Sequence, residues 1–167
     1  MASKGEVINK LHKILTSLYS RRNLILTLPI REIQHADGMQ DFVNEIQPVN
    51  NIDLSYLIDK NIGKRYILVY ELHSKILGFI TFLDYETYFH LDLVEANRLH
   101  DESKKVKPGL SLILFLIKLA KGFNHEKITL HSTENNVDYY TRLGFQITGK
   151  SELHAQYGNL TPMKKLL

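Results

Sequence analysis

The sequence predicts one α/β domain, a mixed sheet with helices packed on it, on three observations. Its 167 residues are one domain's length and bury roughly two-thirds of the surface that the unfolded chain exposes. The segments YILVYEL, ILGFITFL and YFHLDLVEA are apolar, rich in β-branched and aromatic residues and bounded by turn residues, as strands are. After them helices and strands alternate to the end of the chain, the order of a sheet whose later strands are joined across its face.

At the N-terminus, Val7, Ile8, Leu11, Ile14, Leu15, Leu18 and Tyr19 recur with the period of an amphipathic helix. Residues 1–22 are therefore expected to be a helical extension whose apolar stripe packs on the domain or, in a homodimer, on a twin subunit. Residues 24–30 read as a first strand, followed by helices over 39–46 and 54–60. Residues 66–72 and 76–83 pair as a hairpin across a tight turn, and 88–96 form the next strand. That strand is irregular. Phe89, Leu91 and Leu93 share one face, after which the apolar set changes phase to Val94 and Ala96, the one-residue slip that a β-bulge produces.

Residues 97–108 are polar and read as a connection, whereas 110–123 are apolar on almost every side and read as a buried helix. Residues 127–131 form a short strand, and 137–143 a brief helix closed by Gly144 at the position after its cap. Residues 145–149 and 162–166 supply the closing strands.

Composition removes several classes of function. The chain has no cysteine, which excludes disulfides, thiolate-bound zinc and thiol nucleophiles. Its longest apolar run, residues 112–117, is too short to span a bilayer, and no apolar leader precedes it, so a soluble, cytoplasmic protein without stable membrane association is expected. An excess of 21 basic over 18 acidic residues is too small to argue for nucleic acid, and no nucleic-acid motif accompanies it.

The densest positive cluster lies in KKVKPGLSLILF, where Lys104, Lys105 and Lys107 precede Gly109 and the buried helix. The first turn of a helix has unpaired N–H groups and the positive end of the macrodipole, and a glycine there lets a phosphate approach closely. The same residues also read as a solvated loop and a plain helix start. In ENNVDYYTRLGF two asparagines precede a short helix carrying Tyr139 and Tyr140, which taken alone are packing aromatics. His100, Asp101 and Glu102 cluster too, but no second group has ligand spacing, so they read as solvated and no metal is expected.

The order of bulged strand, glycine-bearing loop, helix, short strand and N-x-x-Y-Y-x-x-L-G-F helix resembles the GNAT superfamily of acetyl-coenzyme A dependent N-acyltransferases. STENNVDYYTRLGF is locally similar to glucosamine 6-phosphate N-acetyltransferases. The resemblance implies a mixed, mostly antiparallel central sheet with helices on both faces and a splayed, bulged central strand. It also implies transfer of an acetyl group from acetyl-CoA to a primary amine, directly and within one ternary complex.

By the same resemblance, Val106, Lys107, Gly109, Leu110 and Ser111 contact the coenzyme pyrophosphate. Val106 stands where the family has Gln or Arg, Ser111 replaces a Gly or Ala, and Pro108 lacks a backbone donor. The pantetheine arm pairs with backbone from Leu93 and Val94 to Glu95, Asn136 contacts that arm, and Tyr140 protonates the departing thiolate. An amine must be neutral to attack, so a base or a water chain must take its proton, and Asp92, Glu95 and His90 are the candidate bases. A backbone N–H near Leu93 or Val94 would hold the oxyanion. The departures in the loop support an alternative, a protein of this fold that binds acyl-CoA or a protein partner without turnover. The amine acceptor is not legible, since a shared fold does not name a substrate.

Overall fold

The computed structural model describes residues 30–32, 39–50, 54 and 65–167, together with Lys13. Apart from Lys13 and Leu54, the expected N-terminal extension and the helix over 54–60 lie outside the described residues, as do residues 24–29 of the expected first strand. The described elements are β1 (Ile30–Glu32), α1 (Met39–Asn50), β2 (Tyr66–Leu72), β3 (Lys75–Asp84), β4 (Tyr88–Ala96), α2 (Asp101–Val106) and α3 (Pro108–Gly122). They continue with β5 (Lys127–Thr133), a 3₁₀ turn (Glu134–Asn136), α4 (Val137–Arg142), β6 (Gln146–Ile147), β7 (Glu152–His154) and β8 (Gly158–Leu166).

The strands form one sheet in the order β1-β2-β3-β4-β5-β8-β6, with β7 also paired to β8. Every described pairing is antiparallel except β4 with β5. Alternation along β2 assigns the two faces. Ile67 and Val69 pack with Met39, Phe42, Val43 and Ile46 of α1, residues spaced to share one side of that helix. Leu68 instead joins Ile80, Phe82 and the apolar side chains of α3 on the opposite face. The sheet is thus mixed, mostly antiparallel and covered by helices on both faces, as the sequence led us to expect.

Several elements differ from expectation. Helix α1 continues past the expected end at Ile46, through Pro48 in its last turn, to Asn50. The polar stretch 97–108 contains α2, whose Asp101 and Glu102 in the first turn and Lys104 and Lys105 in the last complement the helix dipole. Only Ser103 of α2 is buried, so no apolar period announces it. Strand β7 was not expected at all, and its three residues are exposed. Strand β8 starts at Gly158, four residues before the expected start, while β6 spans only Gln146 and Ile147.

The feature that positions the site is the course of β4. Its register against β3 jumps from Thr81 opposite Leu93 to Phe82 opposite Leu91, leaving Asp92 as the extra residue of a bulge. The phase change therefore falls one residue earlier than the apolar pattern indicates, and Leu93 packs on the α1 face while Val94 packs on the α3 face. The parallel ladder of β4 with β5 ends at Leu91 opposite Leu130. Beyond it β5 pairs only with β8, and the two parallel strands splay apart.

Candidate active site

The splay opens a cleft of about 100 Å³ between the bulged half of β4 and the end of β5. Asp92, Leu93, Val94 and Glu95 line one wall, with Asn136 and Tyr140 among the residues opposite. The β4 backbone beyond Leu91 has no described strand partner on this side, so its outward N–H and C=O groups face the cleft. Six of the residues singled out from the sequence thus converge on one opening.

Tyr140 is positioned by α4. Its ring is buried and makes an edge contact with Phe145, with centroids 5.7 Å apart. The helix ends two residues later, at Arg142. Gly144 takes φ 87°, a left-handed value suited to glycine, and its N–H returns to the Thr141 carbonyl. Burial, followed by neighbouring Tyr139 and the Glu95 charge, pushes the Tyr140 phenol above the usual tyrosine range. Its hydroxyl therefore keeps its proton at any ordinary working pH. Asn136 is exposed just before α4, and its Nδ2 donates to Thr133 Oγ1 at 3.0 Å.

The expected pyrophosphate residues meet the other end of this wall. They are not a loop. Val106 ends α2, Lys107 alone forms the joint with φ 48°, and α3 begins at Pro108. A side chain in that left-handed conformation is strained, and here it caps one helix and starts the next. The Ser111 N–H donates to the Lys107 carbonyl and the Ser111 hydroxyl to Val106 O, at 3.0 and 3.2 Å. With Pro108 lacking an N–H, Gly109 and Leu110 hold the first-turn donors.

Gly109 and Val94 connect the two groups, since a Cβ on Gly109 would lie 3.8 Å from Val94 Cγ2, an ordinary contact. Packing among the described residues therefore does not demand glycine there. Gly78 is different. A Cβ at that position would come within 3.0 Å of the Glu95 carbonyl and 3.1 Å of Pro108 Cβ, so its absence lets β3, β4 and the start of α3 close together. Of the three lysines, Lys104 pairs with Asp101 at 2.9 Å in an exposed bridge, which leaves Lys105 and Lys107 as the stronger positive contribution.

Asp92 faces a second, larger cavity of about 590 Å³, lined also by Arg65, His90, His131, His154 and Tyr157. Cavity and cleft share Asp92, Leu93, His131, Thr133 and Tyr157, and so adjoin. Asp92 Oδ2 accepts a hydrogen bond from Arg65 Nε at 2.8 Å and another from Thr81 Oγ1 at 3.3 Å. His90 Nδ1 lies 2.8 Å from Thr129 Oγ1 on the facing strand. Burial, then the neighbouring His131, hold the His90 ring below the usual histidine range, while Asp92 acts in the opposite direction.

His131, Arg65, His154 and Tyr157 were not singled out from the sequence. For His131 a signal existed: in KITLHST it follows Thr129 on one face while Ile128 and Leu130 occupy the core face. The other three are brought in by long-range pairing and carry no local signature.

His100 is tied down rather than solvated. Its Nε2 lies 3.0 Å from Glu45 Oε2 and its Nδ1 3.1 Å from Lys75 Nζ, and this contact with His100 holds the Glu45 carboxyl below the usual range. Among the described residues no group of three or more His, Asp or Glu is arranged to hold a metal, and no helix is long and apolar enough to cross a membrane.

A bulged strand thus parts from its parallel neighbour, with the glycine-bearing start of α3 beside Val94 and a polar cavity adjoining the cleft. Residues 38–167 match the family model described as an acetyltransferase (GNAT) domain, and the chain belongs to that family. No curated protein matches the chain. Among solved structures it is similar to Ard1 from Thermoplasma volcanium, with TM-score 0.61, 17% identity and coverage of 83% of this chain and 96% of that one. It is similar to an aminoglycoside 6'-N-acetyltransferase complexed with coenzyme A, with TM-score 0.63, 15% identity and coverage of 82% and 96%. A ribosomal-protein-alanine N-acetyltransferase from Brucella melitensis gives TM-score 0.60, 16% identity and coverage of 83% and 99%. At these identities the likeness is one of fold, and the family match supports the superfamily without singling out glucosamine 6-phosphate N-acetyltransferases.

Proposed function

We propose that this chain transfers an acetyl group from acetyl-CoA to a primary amine, directly and within one ternary complex. The observation that carries the reading is the cleft at the β4–β5 splay, with Tyr140 on its wall and the polar cavity adjoining it. A thioester lying in the cleft would have its acyl carbon near the shared boundary, open to an amine from the cavity side.

The residues fit the coenzyme. Gly109 and Leu110 offer first-turn N–H groups to its pyrophosphate, beside Val106, Lys107 and Ser111 at the same joint. Open β4 backbone near Leu93 and Val94 suits the amide-rich arm and an oxyanion, with Asn136 on the opposite wall. Tyr140, which retains its proton, donates to the departing sulfur. Asp92 and Glu95 supply negative charge that draws an ammonium group toward the boundary.

Binding without turnover is the second reading. Pro108 favours it, because it leaves the helix start one backbone donor short. Two measurements separate the readings. Acetyl-CoA at a hundred times its dissociation constant should stabilise the fold by about 2.7 kcal/mol. Thiol release is then followed with tobramycin, spermidine, glucosamine and an alanine-leading peptide. Release with any of them supports transfer, whereas stabilisation with no release from the panel supports a binder.

A further inference from the structure

One histidine lines the boundary of cleft and cavity and a second lines the cavity from which the acceptor amine comes, and this inference rests on the transfer reading above. His90 stands opposite Thr129 in the parallel ladder, and its Nδ1 is fixed on the Thr129 hydroxyl at 2.8 Å. His131 lies two residues further along β5, its ring centroid 5.4 Å from that of His90. His90 is half-buried and lines the cavity, whereas His131 is exposed and lines both cavity and cleft. His131 is thus at the boundary and open to solvent, with His90 beside it in the cavity. The Asp92 carboxylate between them and Arg65 is already engaged by the guanidinium and by Thr81.

We propose that His90 and His131 are the proton exit for the acceptor amine, with His90 Nε2 as the first acceptor and Asp92 as the fixed anion that holds the ammonium form. This assignment needs the tautomer in which Nδ1–H donates to Thr129 Oγ1, leaving the Nε2 lone pair free. Burial and the neighbouring His131 both favour neutral His90, so the lone pair is present at neutral pH. Two adjacent rings do not readily carry charge together, so the proton moves on instead of resting. The groups facing His90 are Asp92 on its own strand, Arg65 before β2, His131 on β5, and His154 and Tyr157 from the β7–β8 hairpin.

The step balances. The ammonium group gives one proton to His90 Nε2, which passes it through His131 to solvent, and the nitrogen lone pair so freed forms the new C–N bond. As the tetrahedral intermediate collapses, a second N–H bond breaks and its proton follows the same path, the C–S bond breaks with its electron pair on sulfur, and sulfur takes the Tyr140 proton. Solvent receives both protons carried by His90 and His131 and returns one to Tyr140, a net release of one proton.

The test uses the full chain. Nitrogen-15 histidine NMR should show His90 neutral at pH 7 as the Nδ1–H tautomer, and His131→Asn should raise its titration midpoint. With an amine that gives thiol release, His90→Gln should lower kcat about a hundredfold, at the low end for acid–base groups, with acetyl-CoA binding retained. The same variant should lose the acid limb of the pH profile, and His131→Asn should move that limb to higher pH. Turnover together with an Nε2–H tautomer, or a midpoint and limb unmoved in His131→Asn, overturns the histidine pair and leaves acetyl transfer standing. Saturable coenzyme binding with no turnover across the panel removes acetyl transfer itself, and this proposal with it.

Discussion

Asp92 Oδ2 and Arg65 Nε are 2.8 Å apart, joining the bulge of β4 to the residue before β2. Both side chains are part-exposed, so the bridge adds at most about 1 kcal/mol to stability. Its main consequence is to fix the carboxylate at the mouth of the cavity. Asp92→Asn should shift the unfolding midpoint little while raising the acceptor KM about tenfold, the loss of one charge-assisted contact. An equal fall in stability and no change in KM would make Asp92 purely structural.

Tyr140→Phe keeps the ring packed on Phe145 and removes only the hydroxyl. Turnover should fall on the order of 10²-fold or more while acetyl-CoA affinity, measured by calorimetry, stays within a factor of two or so. Undiminished turnover would remove Tyr140 from the acid role.

Gly109 and Gly78 should respond oppositely to an added methyl group. Gly109→Ala meets only Val94 at 3.8 Å and replaces glycine in a helix by a better helix former, which should raise stability by about 0.5–1 kcal/mol. Gly109→Val should weaken acetyl-CoA binding about tenfold or more by obstructing the phosphate approach. In Gly78→Ala the new Cβ crowds the Glu95 carbonyl and Pro108, and a loss of about 1–3 kcal/mol is expected. Denaturant unfolding and calorimetry on the three variants check these signs.

His90 also sets a pH dependence of stability. Its folded value is depressed relative to about 6.5 unfolded, so the unfolded chain binds more protons. Its contribution is fully present above that unfolded value and is lost as pH falls through the depressed folded value. His90→Gln should flatten the stability curve on the acid side of pH 6.5, and an unchanged curve would show that the ring titrates alike in both states.

Much of this site was legible in the sequence because it depends on short-range periodicity. Strands β2 and β4 lie where their residue patterns indicate, and a slip in the apolar phase marked the bulge, although its extra residue is Asp92. Gly144 closes α4 as a glycine after a helix cap should. Strand β7 left no trace because none of its three residues is buried, and α2 left none because it buries only Ser103. The cavity was hidden for a different reason. His90 meets His131 across a parallel ladder, and Arg65 meets Asp92 beside a bulge, contacts that depend on register rather than on neighbouring residues.

Backbone amide NMR during titration with acetyl-CoA tests the central claim most directly. Saturable shifts are predicted at Leu93 to Glu95, Gly109 to Ser111 and Asn136 to Tyr140, which are one wall of the cleft, the helix start beside it and the facing wall. No saturable shift at millimolar coenzyme, or shifts confined to other parts of the sheet, would contradict the acetyl-CoA site proposed for this chain.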